Sequence, residues 1–163
     1  MHRLMVPYLV DGYLSYDRPC HVMAETIIVR ECRHGQVRVQ FGNIIRVDGD
    51  IMVIPANNRL AGREGLDERM QLAAGDELRA RCTEIAVERR KEGKQPCGVG
   101  EAVSTSGYNL PAENLVHVVA PDCRRPNQDN FRRELLVNSY NAMFDEISKI
   151  EPRKTVVTPP LGM

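Results

Sequence analysis

Two polar residues, Asn57 and Asp67, flank a loop that carries Gly62 and Gly65. The run before Asn57, Ile51 to Ile54, is fully apolar, as a strand buried on both faces should be. The run after Gly65 opens a helix at Leu66-Asp67. A strand that delivers an amide side chain and a glycine loop to a helix N-terminus suits an anion, above all a phosphate. Glycines let the backbone approach closely, and the free N–H groups of the first helical turn point at the ligand. The same corner could host catalysis through Asn57 and Asp67. Each residue also has a plain structural use. Asn57 can cap the loop or the next helix. Asp67 in a first helical turn is favoured by the helix dipole alone, and Gly62 and Gly65 are ordinary loop residues. Cys97 and His117 raise the thought of a thiol nucleophile and its base. Nothing in their spacing brings them together, and His117 sits inside an apolar run, so a core histidine is the expectation.

The elements that must position this corner follow from periodicity and turn chemistry. Residues 1–25 are broken by Pro7, Gly12 and Pro19 and read as an added arm or a first strand. Thr26 to Arg30 and Val37 to Phe41 read as strands joined by a turn at Arg33-His34-Gly35, and Gly42-Asn43 and Asp48-Gly49-Asp50 are further turns. Leu66 to Arg90 has helical spacing, with a break expected near Gly75-Asp76. Strands are expected at Ala102 to Ser106, Leu115 to Val119 and Thr155 to Thr158, and a second long helix over Phe131 to Ile150. A hairpin followed by alternating strands and helices predicts an α/β fold, a three-layer α/β/α sandwich with a mixed central sheet. Ligands of such sheets sit beyond the carboxyl ends of the strands. The loops after Phe41, Ile54 and Thr158 are therefore expected to converge.

Bulk composition narrows the function. The 163 residues suit one domain, and the 22 basic and 22 acidic side chains cancel. A neutral chain has little general attraction for nucleic acid or an anionic membrane, so the pairs Arg89-Arg90, Arg124-Arg125 and Arg132-Arg133 read as solvated surface. No apolar run approaches the length of a membrane span. Five scattered cysteines without a Cys-x-x-Cys pair suggest reduced thiols in a cytoplasmic protein, with no disulfide frame and no metal site.

The motifs taken together resemble the macro domain family. The family's run Asn-Ala-Ala-Asn, Leu, glycine loop, Val-Asp and Ala-Ala-Gly is matched without a gap by Ile54-Pro55-Ala56-Asn57, Leu60, Gly62 to Gly65, Leu66-Asp67 and Ala73-Ala74-Gly75. Its Gly-Asp-Ile falls on Gly42-Asn43-Ile44, its Cys-Pro-Thr-Gly-Glu-Ala on Cys97 to Ala102, and its Gly-Tyr-x-Leu-Pro on Gly107 to Pro111. The resemblance covers about residues 26–163 and implies a macro-like domain there, lacking the strand and helix that usually follow. It implies binding of ADP-ribose, or of an ADP-ribosylated protein, at Gly42, Asn43, Ile44, Ala56, Gly62, Arg63, Gly65, Leu66, Leu161 and Gly162. In hydrolytic members the residues matching Asn57 and Asp67 hold the distal ribose and its attacking water, with no metal or cofactor. Substrates would be ADP-ribosyl esters on proteins or O-acyl-ADP-ribose; a reader without turnover and a degenerate interaction module are the alternatives. Three departures bear on function. Asn43 replaces an acid that accepts a hydrogen bond from adenine, Arg63 and Glu64 interrupt the glycine loop, and the second phosphate loop is cut short at Leu161-Gly162. A sheet edge or apolar face left bare by the shortened end would be covered by a second copy, so self-association is expected.

Overall fold

The computed structural model describes residues 2–5, 25–124, 129–150 and 155–163. Seven strands form one sheet: β1 (His2–Met5), β2 (Glu25–Cys32), β3 (Gly35–Phe41), β4 (Ile51–Pro55), β5 (Ala102–Ser106), β6 (Asn114–Val118) and β7 (Thr155–Val157). Among the described residues three α-helices accompany them: α1 (Gly65–Ala74), α2 (Asp76–Lys91) and α3 (Asp129–Lys149). The strand order is β2-β3-β1-β7-β4-β6-β5. β3, β1, β7, β4 and β6 run parallel to their neighbours, and β2 and β5 are antiparallel at the two edges. The mixed sheet is therefore parallel through its centre.

The strict alternation of a strand builds the layers. Met52 and Ile54 of β4 pack with Leu115, Met70, Leu78, Cys82 and Ile85 under α1 and α2. Ile51 and Val53 point the other way and pack with Val116, Val118, Val156 and Met143 under α3. This is the three-layer sandwich, its core centred on β4 and β6. The helical run over 66–90 is broken where expected, at Gly75-Asp76, into two helices. Gly75 has φ 95°, a left-handed value that ends α1, and its N–H still reaches the Gln71 carbonyl at 3.1 Å. Asn109 packs where a Cβ on Gly75 would stand, so the break is fixed from outside as well.

The hairpin of β2 and β3 turns at Arg33-His34 and carries a bulge between Thr26 and Ile28. His2–Met5 lies inside the sheet, paired with β3 on one side and β7 on the other. Residues 6–24, which hold most of the expected arm together with Cys20 and His21, lie outside the described residues. Among the described residues, no helix is long and apolar enough to cross a membrane.

Candidate functional site

Because β3, β7, β4 and β6 are parallel, their carboxyl ends share one edge of the sheet, and the loops after Phe41, Pro55, Val118 and Val157 open there. The loop after β4 is the most constrained. Ala56 N–H bonds to the Val118 carbonyl at 2.9 Å, continuing the β4–β6 ladder by one residue. Asn57 then turns the chain. Its Oδ1 accepts from Arg59 N at 2.9 Å and Ala61 N at 3.3 Å, and its backbone carbonyl accepts from Leu60 N at 3.0 Å. This is the loop-capping use of an asparagine. The side chain also does a second thing: Nδ2 donates to Asp67 Oδ2 at 3.3 Å. The two residues that flank the loop in the sequence thus meet in space.

Leu60 is buried with φ 55°, an unusual conformation for a side chain of this size. Burial of its side chain in the α1–α2 core and the bond to Asn57 hold it there. Gly62 follows at φ 52°, and a Cβ there would lie 2.4 Å from Cδ of Gln71. Gly62 is therefore required by close packing inside the protein, quite apart from any ligand. Gly65, at φ 65°, has open space around it, and Arg63 and Glu64 are exposed. Glu64 stands at the N-cap of α1 without a side-chain capping bond. Its carboxylate is not spent on the first-turn N–H groups of the helix.

Asp67 is 5% exposed. Burial raises its carboxyl from 3.8 to about 6, against the lowering effect of a hydrogen bond from Gln71 and of the backbone N–H groups of Asn57 and Gly62. At neutral pH the group is ionised, yet poised closer to its protonated form than an ordinary aspartate. Gln71, itself buried, donates from Nε2 to Asp67 Oδ1 at 3.1 Å and approaches the Leu60 carbonyl at 3.4 Å. Sequence reasoning missed this residue. The available signal was its place four residues after Asp67, hence on the same buried face of α1.

The other expected residues frame the same edge. Gly42 and Asn43 follow β3; Asn43 Oδ1 accepts from Ile45 N at 3.2 Å and caps a short 3₁₀ turn, Ile44–Arg46. That bond takes one of the two lone pairs of the amide oxygen and leaves the exposed side chain with the other. Ile44 is buried in the core beneath. Leu66 is half-buried against the α1–α2 core. Leu161 packs in the α3 core, and its N–H bonds to Tyr140 Oη at 3.3 Å. Gly162 has φ 82°, a Cβ there would press on Leu136 and Cys123, and its carbonyl accepts from Cys123 N at 3.0 Å. The Leu161 side chain thus serves the fold, and the stretch closes onto the loop after β6. On that loop Arg124 grips Asp122 at 2.9 Å; the hydrogen bond to Asp122, and more weakly the charge of Glu64, raise its pKa. The glycine loop and the loop after β6 therefore bring opposite charges toward each other at the rim.

Cys97 and His117 do not form a nucleophilic pair. Cys97 is buried, its thiol pushed up to about 12 chiefly by desolvation, and its N–H bonds the Asn58 carbonyl at 3.3 Å, bracing the loop from behind. His117 is fully buried between β4 and β5, with Nε2 3.0 Å from Thr105 Oγ1. Burial lowers it to about 4, so it is neutral at pH 7. Among the described residues, no group of His, Cys, Asp and Glu is placed to hold a metal ion.

The family model for the macro domain matches residues 53–163, from the middle of β4 onward. The chain belongs to the macro domain family. Among similar proteins are a macro domain-containing protein of Mesorhizobium japonicum, 32% identical over 110 residues, covering 68% of this chain and 56% of the relative. An O-acetyl-ADP-ribose deacetylase of Escherichia fergusonii is 35% identical over 106 residues, covering 64% and 57%. A protein-ADP-ribose hydrolase of Staphylococcus aureus is 35% identical over 104 residues, covering 61% and 38%. The chain thus spans little more than half the length of the first two, and less of the third. Of solved structures, an Oceanobacillus iheyensis macrodomain with ADP superposes with a TM-score of 0.72 at 24% identity, covering 85% of this chain and 70% of that one. At that identity the likeness establishes the macro domain fold and nothing finer.

Proposed function

We propose that this macro domain binds ADP-ribose at the carboxyl edge of its sheet and hydrolyses ADP-ribosyl esters, on acidic side chains of proteins or as O-acyl-ADP-ribose. The observation that carries the reading is the contact between Asn57 Nδ2 and the buried Asp67 carboxylate at the mouth of a glycine loop. In this reading the diphosphate lies against the loop from Gly62 to Leu66 and the uncapped first turn of α1, where backbone N–H groups and the helix dipole favour an anion. The adenine lies toward Gly42, Asn43 and Ile44. Asn57 has a second amide hydrogen beyond the one given to Asp67, and it anchors the distal ribose. Asp67, ionised at neutral pH, orients a water molecule, takes up its proton as the water adds to the ester, and returns it to the ribose oxygen as the ester bond breaks. The products are ADP-ribose and the free carboxylic acid. Support comes from the curated relatives, of which one is named a protein-ADP-ribose hydrolase and another an O-acetyl-ADP-ribose deacetylase.

A second reading, a reader that binds without turnover, is favoured by one specific observation. The Asp67 carboxylate is already engaged by Asn57, Gln71 and two backbone N–H groups, so little of it is left to activate water. Glu64 at the rim also opposes the diphosphate charge. Calorimetry with ADP-ribose and AMP, paired with de-ADP-ribosylation of a modified protein by the wild type and by Asp67→Ala, separates the two. The hydrolase reading expects binding and turnover by the wild type, and turnover reduced about 100-fold or more in Asp67→Ala. Binding without turnover leaves the reader; no binding of ADP-ribose removes both.

A further inference from the structure

We propose that Gln71 is a positioning residue of this site, fixing at once which oxygen of Asp67 meets the ligand and the shape of the glycine loop. The inference rests on the ADP-ribose reading for its functional consequence, but its geometry stands apart from it. Gln71 is 1% exposed and sits one helical turn after Asp67. Its Nε2 carries two hydrogens. One goes to Asp67 Oδ1 at 3.1 Å, and the other is directed toward the Leu60 carbonyl at 3.4 Å. Its side chain packs so close to Gly62 that a methyl group there would overlap Cδ, Oε1 and Cγ.

Three consequences follow from this one amide. First, it ties the helix to two of the loop's three left-handed residues, bonding the carbonyl of Leu60 and packing against Gly62. Backbone conformations of that kind persist only where the surroundings over-determine them. Second, it occupies Oδ1 of Asp67, so Oδ2 is the oxygen presented beside Asn57 Nδ2. Third, a neutral donor to a buried carboxylate favours its charged form without introducing a competing charge. Gln71 thereby offsets part of the desolvation of Asp67. Polar side chains in cores are otherwise costly, and an apolar residue of equal size would fill the space as well. The amide chemistry, not the volume, distinguishes this position.

The test is Gln71→Met, which keeps length and volume and removes both donors, compared with Met70→Leu, a control on the neighbouring buried position of α1. Carboxyl NMR titration of Asp67 is expected to move upward by about one unit in Gln71→Met, and amide exchange at Leu60 to Gly62 to accelerate about tenfold. Both quantities stay at wild-type values in Met70→Leu. If the wild type binds ADP-ribose, Gln71→Met is expected to weaken that binding about tenfold. If it also turns over an ester, the acidic limb of the pH profile moves with the Asp67 titration while KM changes only as binding does. Should the wild type neither bind nor cleave, the functional reading falls, and the titration and exchange data still decide the role of Gln71. Unchanged titration and unchanged loop exchange in Gln71→Met would overturn the proposal.

Discussion

The two halves of the sheet carry similar residues and meet opposite fates. The first four residues of β4 read Ile-Met-Val-Ile and are wholly buried; β2 reads Ile-Ile-Val at its centre, and those residues are 59%, 52% and 51% exposed. The difference lies in what covers them. α1 and α2 close one face of the β4–β6 half and α3 the other, whereas among the described residues no helix makes an extensive contact with β2 or β3. Apolar sequence makes a strand eligible for a core, and coverage decides whether it joins one. The proposed site straddles this border. Gly42 to Ile44 leave the end of a thinly covered strand, while Asn57, Asp67 and Gln71 are set into the dense half, where a carboxylate can be held out of water.

The sharpest way to break this comparison is to cut the same atoms from each half. Ile54→Ala is expected to cost about 2–5 kcal/mol in urea unfolding, and Ile28→Ala within about 0.5 kcal/mol. Equal losses would mean that β2 is covered in solution, as the expected self-association would require. Strand-to-strand pairing of two β2 edges would have to cross the bulge at Ile27, a feature that discourages it.

A second prediction concerns charge buried in the dense half. The folded Asp67 carboxyl is raised from 3.8 to about 6. Between those values the native state holds a proton that the unfolded chain has released, so stability falls as pH rises, by up to roughly 3 kcal/mol. His117, lowered from 6.5 to about 4, does the reverse: the unfolded chain binds a proton that the native state refuses, and stability rises with pH over that window. The two nearly cancel in the wild type. In Asp67→Asn the histidine acts alone, and stability should climb by up to about 3 kcal/mol from pH 4 to pH 6.5. Stability that changes identically with pH in the two proteins would contradict the Asp67 titration, and a flat profile in Asp67→Asn would contradict that of His117.

The smallest of the three effects sharpens the border itself. Gly62→Ala meets both a left-handed φ and the Gln71 amide and is expected to cost about 2 kcal/mol, whereas Gly65→Ala, with the same sign of φ but open space, is expected to cost about 1 kcal/mol. Thermal melts of the pair measure the difference. Identical losses would show that conformation alone, without the packed amide, keeps glycine at position 62.

Much of this was legible in the residues. Ala102 to Ser106, the apolar run at Ile51 and the helix break at Gly75 follow from alternation, continuity and a left-handed glycine, all local signals. That Asn57 and Asp67 stand at one corner followed from a strand, a loop and a helix in immediate succession; their direct hydrogen bond did not. What was not legible depends on partners far away in sequence. Four residues at His2–Met5 are too few to show a period. The exposure of β2 is a statement about missing neighbours, which no pattern within the strand encodes. Leu161 joins the α3 core through Tyr140, and Asn43 spends part of its acceptor capacity on its own turn; both needed the third dimension. Gln71 lay within reach of helical spacing, but a glutamine on a helix is ordinarily solvated.

The placement of β1 sets an order of assembly. The β2–β3 hairpin is made of near neighbours and can close quickly, as can the segment from β4 through α2. Arg3, however, is paired with Gln36 on one flank and Thr155 on the other, and β3 has no ladder to β7. The backbone seam between the two halves therefore waits until Thr155–Val157 has been synthesised and docked. Until then the hairpin fluctuates as a unit of its own, because β1 is the one ladder that ties it to the rest of the sheet among the described residues.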